Sequence, residues 1–182
     1  MYNIFPDSFA SGAGELVPPG PHGVPLDRGL VSHSKNGGTI KGIMQNLDYI
    51  QDLGFDTVYL NPIFTAGEYH KYDLLDYYHI DPSFGTDEDF AGLVKEIHRR
   101  GMYIIIDGVF NHCSWDFFAF QDVVDKGAES AYHNWFYRLE HPVVRPDDPD
   151  VMPNYTCFAY ERKMPKMNTA NPEVQAYFLD VC

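Results

Sequence analysis

Two short stretches carry the residue types that chemistry needs. In "IIIDGVFNH", the run Ile104 to Ile106 leads into Asp107, and Asn111 and His112 follow closely. In "HKYD", His70, Lys71, Tyr72 and Asp73 set an imidazole, an ammonium, a phenol ring and a carboxylate side by side. A carboxylate or an imidazole can orient hydroxyls or move protons. An Asn carbonyl can meet a sugar hydroxyl or a metal. A Tyr ring offers a flat face on which a sugar stacks while its edge stays wet. Each residue also has a plain structural reading. Asp107 before Gly108 makes a common turn pair. His112 can be a satisfied structural histidine, Asn111 can cap a strand end, and "HKYD" can be a polar loop with one buried Tyr. A zinc ion held by His70, Asp107 and His112 is a third option, although their spacing matches no helix-borne His-x-x-x-His pattern.

The elements that must position these residues follow a rhythm. "MYNIF" reads as a strand stopped by Pro6. Residues from about 10 to 38 are rich in Gly, Pro and Ser and read as a long loop. Ile40, Ile43, Met44, Leu47, Ile50 and Leu53 then keep helical spacing, with Thr39 as N-cap and Gly54 as stop. "DTVYLNPIF" reads as a buried strand. A second helix has Thr86 as cap, Asp89 at the capping-box position and Phe90, Leu93, Val94 and Ile97 on its apolar face. Gly101 ends it, and "MYIIIDGVF" is the third strand.

Strands alternating with helices predict an α/β fold with a parallel sheet and right-handed crossovers. The strands lack a polar face, which predicts that both sides of the sheet are covered. Sites in such folds form at the carboxyl ends of strands. "PDSF", "NPIF" with "HKYD", and "DGVFNH" all lie there. After the third strand the rhythm breaks. Residues from about 110 to 168 read as an inserted, irregular subdomain. Its aromatics, Trp115, Phe117, Phe118, Phe120, Trp135 and Phe136, suit sugar stacking, and for most of them the core of that subdomain is the expected role. Asn171 and Pro172 then start a helix with Val174, Tyr177, Phe178 and Val181 on its apolar face.

Composition narrows the partners. The 182 residues are enough for one sizeable core, with 45% hydrophobic and 15% aromatic residues. A formal net charge of -13 argues against nucleic acid and against an anionic membrane surface, while a neutral sugar is compatible with it. Cys113, Cys157 and Cys182 form no C-x-x-C pair and no disulfide framework. No run is long enough to span a membrane and no signal-peptide pattern opens the chain. A cytoplasmic rather than a secreted protein is expected. Both ends read as cut, and the sequon Asn154-Tyr155-Thr156 carries no weight without secretion. No G-x-G-x-x-G or phosphate loop is present.

Five stretches in order, "YNIFPDSF", "YLNPIF", "HKYDLLDYYHIDPSFG", "DGVFNH" and "MPKMNTANPEV", closely resemble the α-amylase superfamily, glycoside hydrolase family thirteen. Within it they look like the neopullulanase, cyclomaltodextrinase and maltogenic amylase group. "DGVFNH" is similar to the family's D-x-V-x-N-H motif, and "MPKMN" to the group's M-P-K-L-N. The resemblance implies the first part, about three βα units, of a (β/α)8 TIM barrel with domain B inserted after the third strand. It divides the chain into barrel strands and helices at 1–109, domain B at 110–168 and the start of the third barrel helix at 169–182. It implies an α-glucan or maltooligosaccharide substrate. Asp107 would support the site's architecture, His112 would hydrogen-bond the sugar beside the scissile bond, and Tyr72 would stack on that sugar. Asn111 and His70 join them as substrate-binding candidates, and Asn111 is similar to a calcium-binding position in some α-amylases.

Two departures qualify the resemblance. Many relatives carry G-G-D where this chain has Gly37-Gly38-Thr39, so that calcium site is expected to be missing and no cofactor is expected. The family's nucleophile, general acid and further Asp follow the fourth, fifth and seventh strands, and none of the three is present. Retaining hydrolysis needs two carboxyl groups about 5–5.5 Å apart. The expectation is a retaining α-glucan hydrolase as the intact protein, acting on α-1,4 and also α-1,6 links, with these 182 residues inactive by themselves. The rival is an inactive amylase-like module that binds sugar or a partner subunit. A bare sheet edge is expected to make the chain self-associate.

Overall fold

The computed structural model describes residues 1–14 and 36–182. Most of the predicted loop between about 10 and 38 lies outside the described residues. The chain divides into two compact units, one comprising Met1–Thr65 and His79–Gly108, the other Ala66–Tyr78 and Val109–Cys182.

The first unit is a three-stranded parallel sheet, β1 (Tyr2–Ile4), β2 (Thr57–Leu60) and β3 (Tyr103–Ile106), in the order β1-β2-β3. Tyr2 pairs with Val58, and Val58 with Ile104. The ladder continues past the strands: Asn61 N–H donates to Ile4 O at 2.9 Å and Asp107 N–H to Leu60 O at 3.0 Å. Asp107 is therefore the residue that leaves the sheet at its carboxyl end.

The first predicted helix is two helices, α1 (Ile40–Gln45) and α2 (Leu47–Asp52). Thr39 caps α1 by accepting from Gly42 N–H at 3.1 Å. Asn46 breaks the run, with φ −107° and ψ 17°. Its side-chain amide donates to Gly42 O and to Gly14 O, both at 2.9 Å, and this anchors the turn to the earlier loop. Gly54 turns the chain at φ +85°, a conformation glycine adopts without strain.

Helix α3 (Asp87–Arg99) opens with the expected capping box between Thr86 and Asp89. Leu93 and Ile97 join Ile4, Ile43, Leu47, Val58 and Leu60 in one buried aliphatic core. Outside it, Arg100 is held by Glu96 at 2.8 Å, by Gln51 at 2.9 Å and by Asp48. One expectation fails here. Strand β3 is a sheet edge, and Ile105 and Ile106 are 43% and 36% exposed, so its two faces are not both covered. The apolar pattern reflects a covering that these residues alone do not supply.

The second unit contains α4 (Phe118–Lys126), a two-stranded antiparallel ribbon of β4 (Cys157–Phe158) and β5 (Glu161–Pro165), and α5 (Pro172–Val181). Helix α4 lies inside the stretch read as irregular, because its run of aromatics hides the helical period. Phe117 and Phe120 are fully buried, and Trp135 and Phe136 nearly so. Trp115, Phe136 and Tyr155 meet the Phe120 ring edge to face, with centroids 5.1, 4.8 and 5.2 Å away. These aromatics are a core, as expected for most of them. Helix α5 starts where predicted, with Asn171 accepting from Glu173 N–H and Pro172 at its first turn. Asn154 of the sequon is structural: its amide donates to Pro142 O at 2.8 Å and accepts from Val144 N–H at 3.0 Å.

Candidate functional site

Four of the five candidate residues come together in the second unit. The loop carrying "HKYD" packs with the residues after β3, since Ser114 N–H donates to Leu74 O at 2.9 Å. Tyr77 is buried among them, its hydroxyl 2.9 Å from His112 O and 3.0 Å from Val109 O. Burial pushes that phenol well above its ordinary pKa, so it stays a neutral donor. Tyr77 thus ties the two motifs together, a role that no motif pattern marks.

His112 is buried with both ring nitrogens engaged. Nε2 lies 3.0 Å from the Tyr72 carbonyl, and Nδ1 lies 3.2 Å from the Asn111 amide nitrogen. A carbonyl only accepts and an amide N–H only donates, so the proton sits on Nε2 and the ring is neutral. Burial is the main cause holding its pKa below the ordinary 6.5, and the charges of His70 and Lys166 push the same way. The hydrogen bond to Tyr72 opposes the shift without reversing it. Phe158 of β4 stacks on the imidazole at 4.6 Å and 21°.

The Asn111 amide is oriented from its other end. Lys166 Nζ donates to Oδ1 at 2.7 Å, and Met167 N–H donates to Asn111 O at 3.0 Å. The Asn-His pair of "DGVFNH" and the lysine of "MPKMN" thus form one hydrogen-bonded chain: Lys166, Asn111, His112, Tyr72. Sequence reading found three of the four. Lys166 stands inside its motif with no pattern marking a role, and Phe158 carries no signal in the sequence.

The oxygen that a calcium ion would take at Asn111 already accepts from an ammonium. A second cation there would be repelled, so this position does not fit calcium. Gly37-Gly38-Thr39 is likewise used structurally. Thr39 caps α1, and the Asp7 carboxylate accepts from Asn36 N–H at 2.9 Å and Gly37 N–H at 3.2 Å. Among the described residues no three His, Cys, Asp or Glu side chains gather as metal ligands.

In the "HKYD" loop, Tyr72 is half-buried and Lys71 is buried with φ +62°, a left-handed backbone unusual for a lysine. Tyr72 N–H donates to His70 Nδ1 at 3.0 Å. Asp73 Oδ1 approaches the same nitrogen to 4.0 Å. Asp73 is buried and accepts from Glu68 N–H at 3.0 Å. Burial raises its pKa, and the backbone hydrogen bonds only partly offset this. Asp107, the fifth candidate, belongs to the first unit. It is half-buried at the end of β3 and accepts a hydrogen bond from the Tyr59 hydroxyl, whose pKa is raised first by burial and then by the Asp107 charge.

The family model described as the alpha amylase catalytic domain matches residues 3–182. The chain belongs to that family. It is 45% identical to a cyclomaltodextrinase of Geobacillus thermopakistaniensis, over 99% of this chain and 30% of the relative. It is 47% identical to an intracellular maltogenic amylase of Bacillus subtilis, over 99% of this chain and 29% of the relative. The cyclic α-maltosyl-(1→6)-maltose hydrolase of Arthrobacter globiformis superposes with a TM-score of 0.83 at 39% identity, covering 99% of this chain and 40% of that one. That hydrolase has also been solved with maltose bound. The chain spans about 30% of the length of the curated relatives it matches. Its fold is the N-terminal part of an α-amylase catalytic barrel, with parallel strands and helices as the motifs implied. Its relatives are glycoside hydrolases.

Proposed function

We propose that the protein to which these residues belong is a retaining α-glucan hydrolase, cleaving α-1,4 and also α-1,6 links in maltodextrin, cyclodextrin or pullulan. The observation that carries this reading is the hydrogen-bonded chain from Lys166 through Asn111 and His112 to the backbone of Tyr72. It joins three family motifs in one place and holds a neutral imidazole beside an aromatic ring. Such a site orients uncharged hydroxyls and a sugar face.

In this reading Tyr72 stacks on the sugar next to the scissile bond. His112 donates from Nε2 to a sugar hydroxyl, exchanging the Tyr72 carbonyl for it. Asn111 and His70 set the imidazole and the loop, and Asp107 supports the strand end. Residues 1–109 act as barrel, 110–168 as domain B and 169–182 as the start of the third barrel helix. None of these residues supplies the carboxyl pair that breaks the bond. The 182 residues by themselves are then inactive, and the exposed β3 edge makes them self-associate, which light scattering reads directly. A cytoplasmic location is supported by the relative named intracellular.

The test measures reducing sugar released from maltodextrin, cyclodextrin and pullulan by the protein carried to its relatives' length and by the 182-residue chain. Release by the long form alone is expected. Release by the short chain at enzymatic rates would overturn the missing-carboxylate argument. Sugar binding by the long form without release would favour the inactive module.

A further inference from the structure

A second cluster of functional side chains lies in the second unit, at residues that none of the motifs includes. His133 opens a short 3-10 turn, His133–Trp135, and His141 follows in the loop after it. Their Nε2 atoms are 3.0 Å apart and their rings are tilted 39° with centroids at 5.1 Å. We propose that His133 and His141 form a two-imidazole site for a divalent transition-metal ion, of the tetragonal or octahedral kind that Ni²⁺ or Cu²⁺ prefers.

The geometry argues for this class. With metal–nitrogen bonds of about 2.0–2.1 Å, two cis imidazoles sit about 2.9 Å apart at a right angle and about 3.3 Å apart at a tetrahedral angle. The separation of 3.0 Å is nearer the right-angle value. Imidazole is a ligand for Ni²⁺, Cu²⁺ and Zn²⁺ and a poor one for Mg²⁺ or Ca²⁺.

The protonation pattern is half prepared. His133 Nδ1 lies 3.3 Å from Asn134 Oδ1, an oxygen that only accepts, so Nδ1 carries the proton and Nε2 keeps its lone pair. Without an ion, His141 donates its Nε2 proton to that lone pair. With an ion, His141 carries the proton on Nδ1 instead, and both Nε2 lone pairs point at the metal.

The backbone on both sides is fixed. Asn134 O accepts from Asn168 Nδ2 and Asn171 Nδ2, each at 3.0 Å. Asn154 Nδ2 bonds the carbonyls on either side of His141, Glu140 O at 3.2 Å and Pro142 O at 2.8 Å. The His141 ring lies against Gly127, where an added Cβ would come within 3.4 Å of Nδ1. Ligands held this way lose little freedom on binding. Among the described residues no third side-chain ligand joins them, so water fills the other positions.

Equilibrium dialysis of Ni²⁺ against the 182-residue chain tests the site. One ion per chain is expected, with affinity falling by about tenfold or more in H133Q and in H141Q. H98Q, which removes an exposed histidine on α3, is the control and keeps wild-type affinity. The two single variants are read separately, so misfolding of one, visible by circular dichroism, leaves the other decisive. Wild-type affinity in a folded H133Q or H141Q, or wild-type binding no tighter than that of the variant carrying both H133Q and H141Q, overturns the site.

Discussion

The two compact units are built by different physics. In the first, regular hydrogen-bonded elements bury an aliphatic core: Ile43, Leu47, Val58, Leu60, Leu93 and Ile97. In the second, regular elements are short and an aromatic cluster around Phe117 and Phe120 does the burying. Polar groups there are satisfied one at a time, as when Asn154 pins a loop or Tyr77 bonds two carbonyls. The first design repeats and the second does not. A unit without a repeat can place unlike side chains close together, which is what a binding site requires.

Removing the centre of the aromatic cluster should have the largest effect on the second unit. Phe120→Ala deletes a fully buried ring that meets Trp115, Phe136 and Tyr155. The expected loss is about 3–5 kcal/mol, read from the urea midpoint. A loss below about 1 kcal/mol, the range of a surface change, would mean that the cluster is not what holds the unit.

A smaller loss is expected in the first unit from Gly42→Ala. An added Cβ would lie 2.1 Å from Ala10 O and 2.3 Å from Ser11 O, both backbone atoms that cannot step aside. Helix propensity favours alanine by about 1 kcal/mol. Forcing backbones apart costs about 1–3 kcal/mol or more, so the clash wins. A net destabilisation at thermal unfolding is expected, and a stabilised variant would show that the loop before α1 yields freely.

The same contrast explains what the sequence made legible. Periodicity located β1, β2, β3, α3 and α5, and the caps at Thr39, Thr86 and Asn171 were visible because capping is local. The break at Asn46 was not, since its cause is a hydrogen bond to Gly14, far back in the chain. Helix α4 was hidden because the run of aromatics at its start masks the helical period. At the site, the motifs pointed to Asn111, His112 and Tyr72, and long-range bonds join them. Phe158 on His112 and the Tyr77 hydroxyl could not be read at all, because each depends on residues tens of positions away.

The finest test concerns His112, where the irregular unit does something the regular one has no means to do. Burial against Phe158 and the charges of His70 and Lys166 disfavour the imidazolium, so the folded-state pKa lies below the unfolded value of 6.5. Below 6.5 the unfolded chain takes up a proton that the folded chain refuses. The stability His112 contributes is therefore complete above that pH and is lost as pH falls toward the folded pKa. An NMR titration of the ring protons is expected to place His112 below 6.5. His112→Gln is expected to flatten the acid side of the stability curve while leaving the neutral side less affected. A His112 that titrates at or above 6.5 would mean that the proton on Nε2 is shared by a charged ring, and the neutral donor proposed for the sugar hydroxyl would be lost with it.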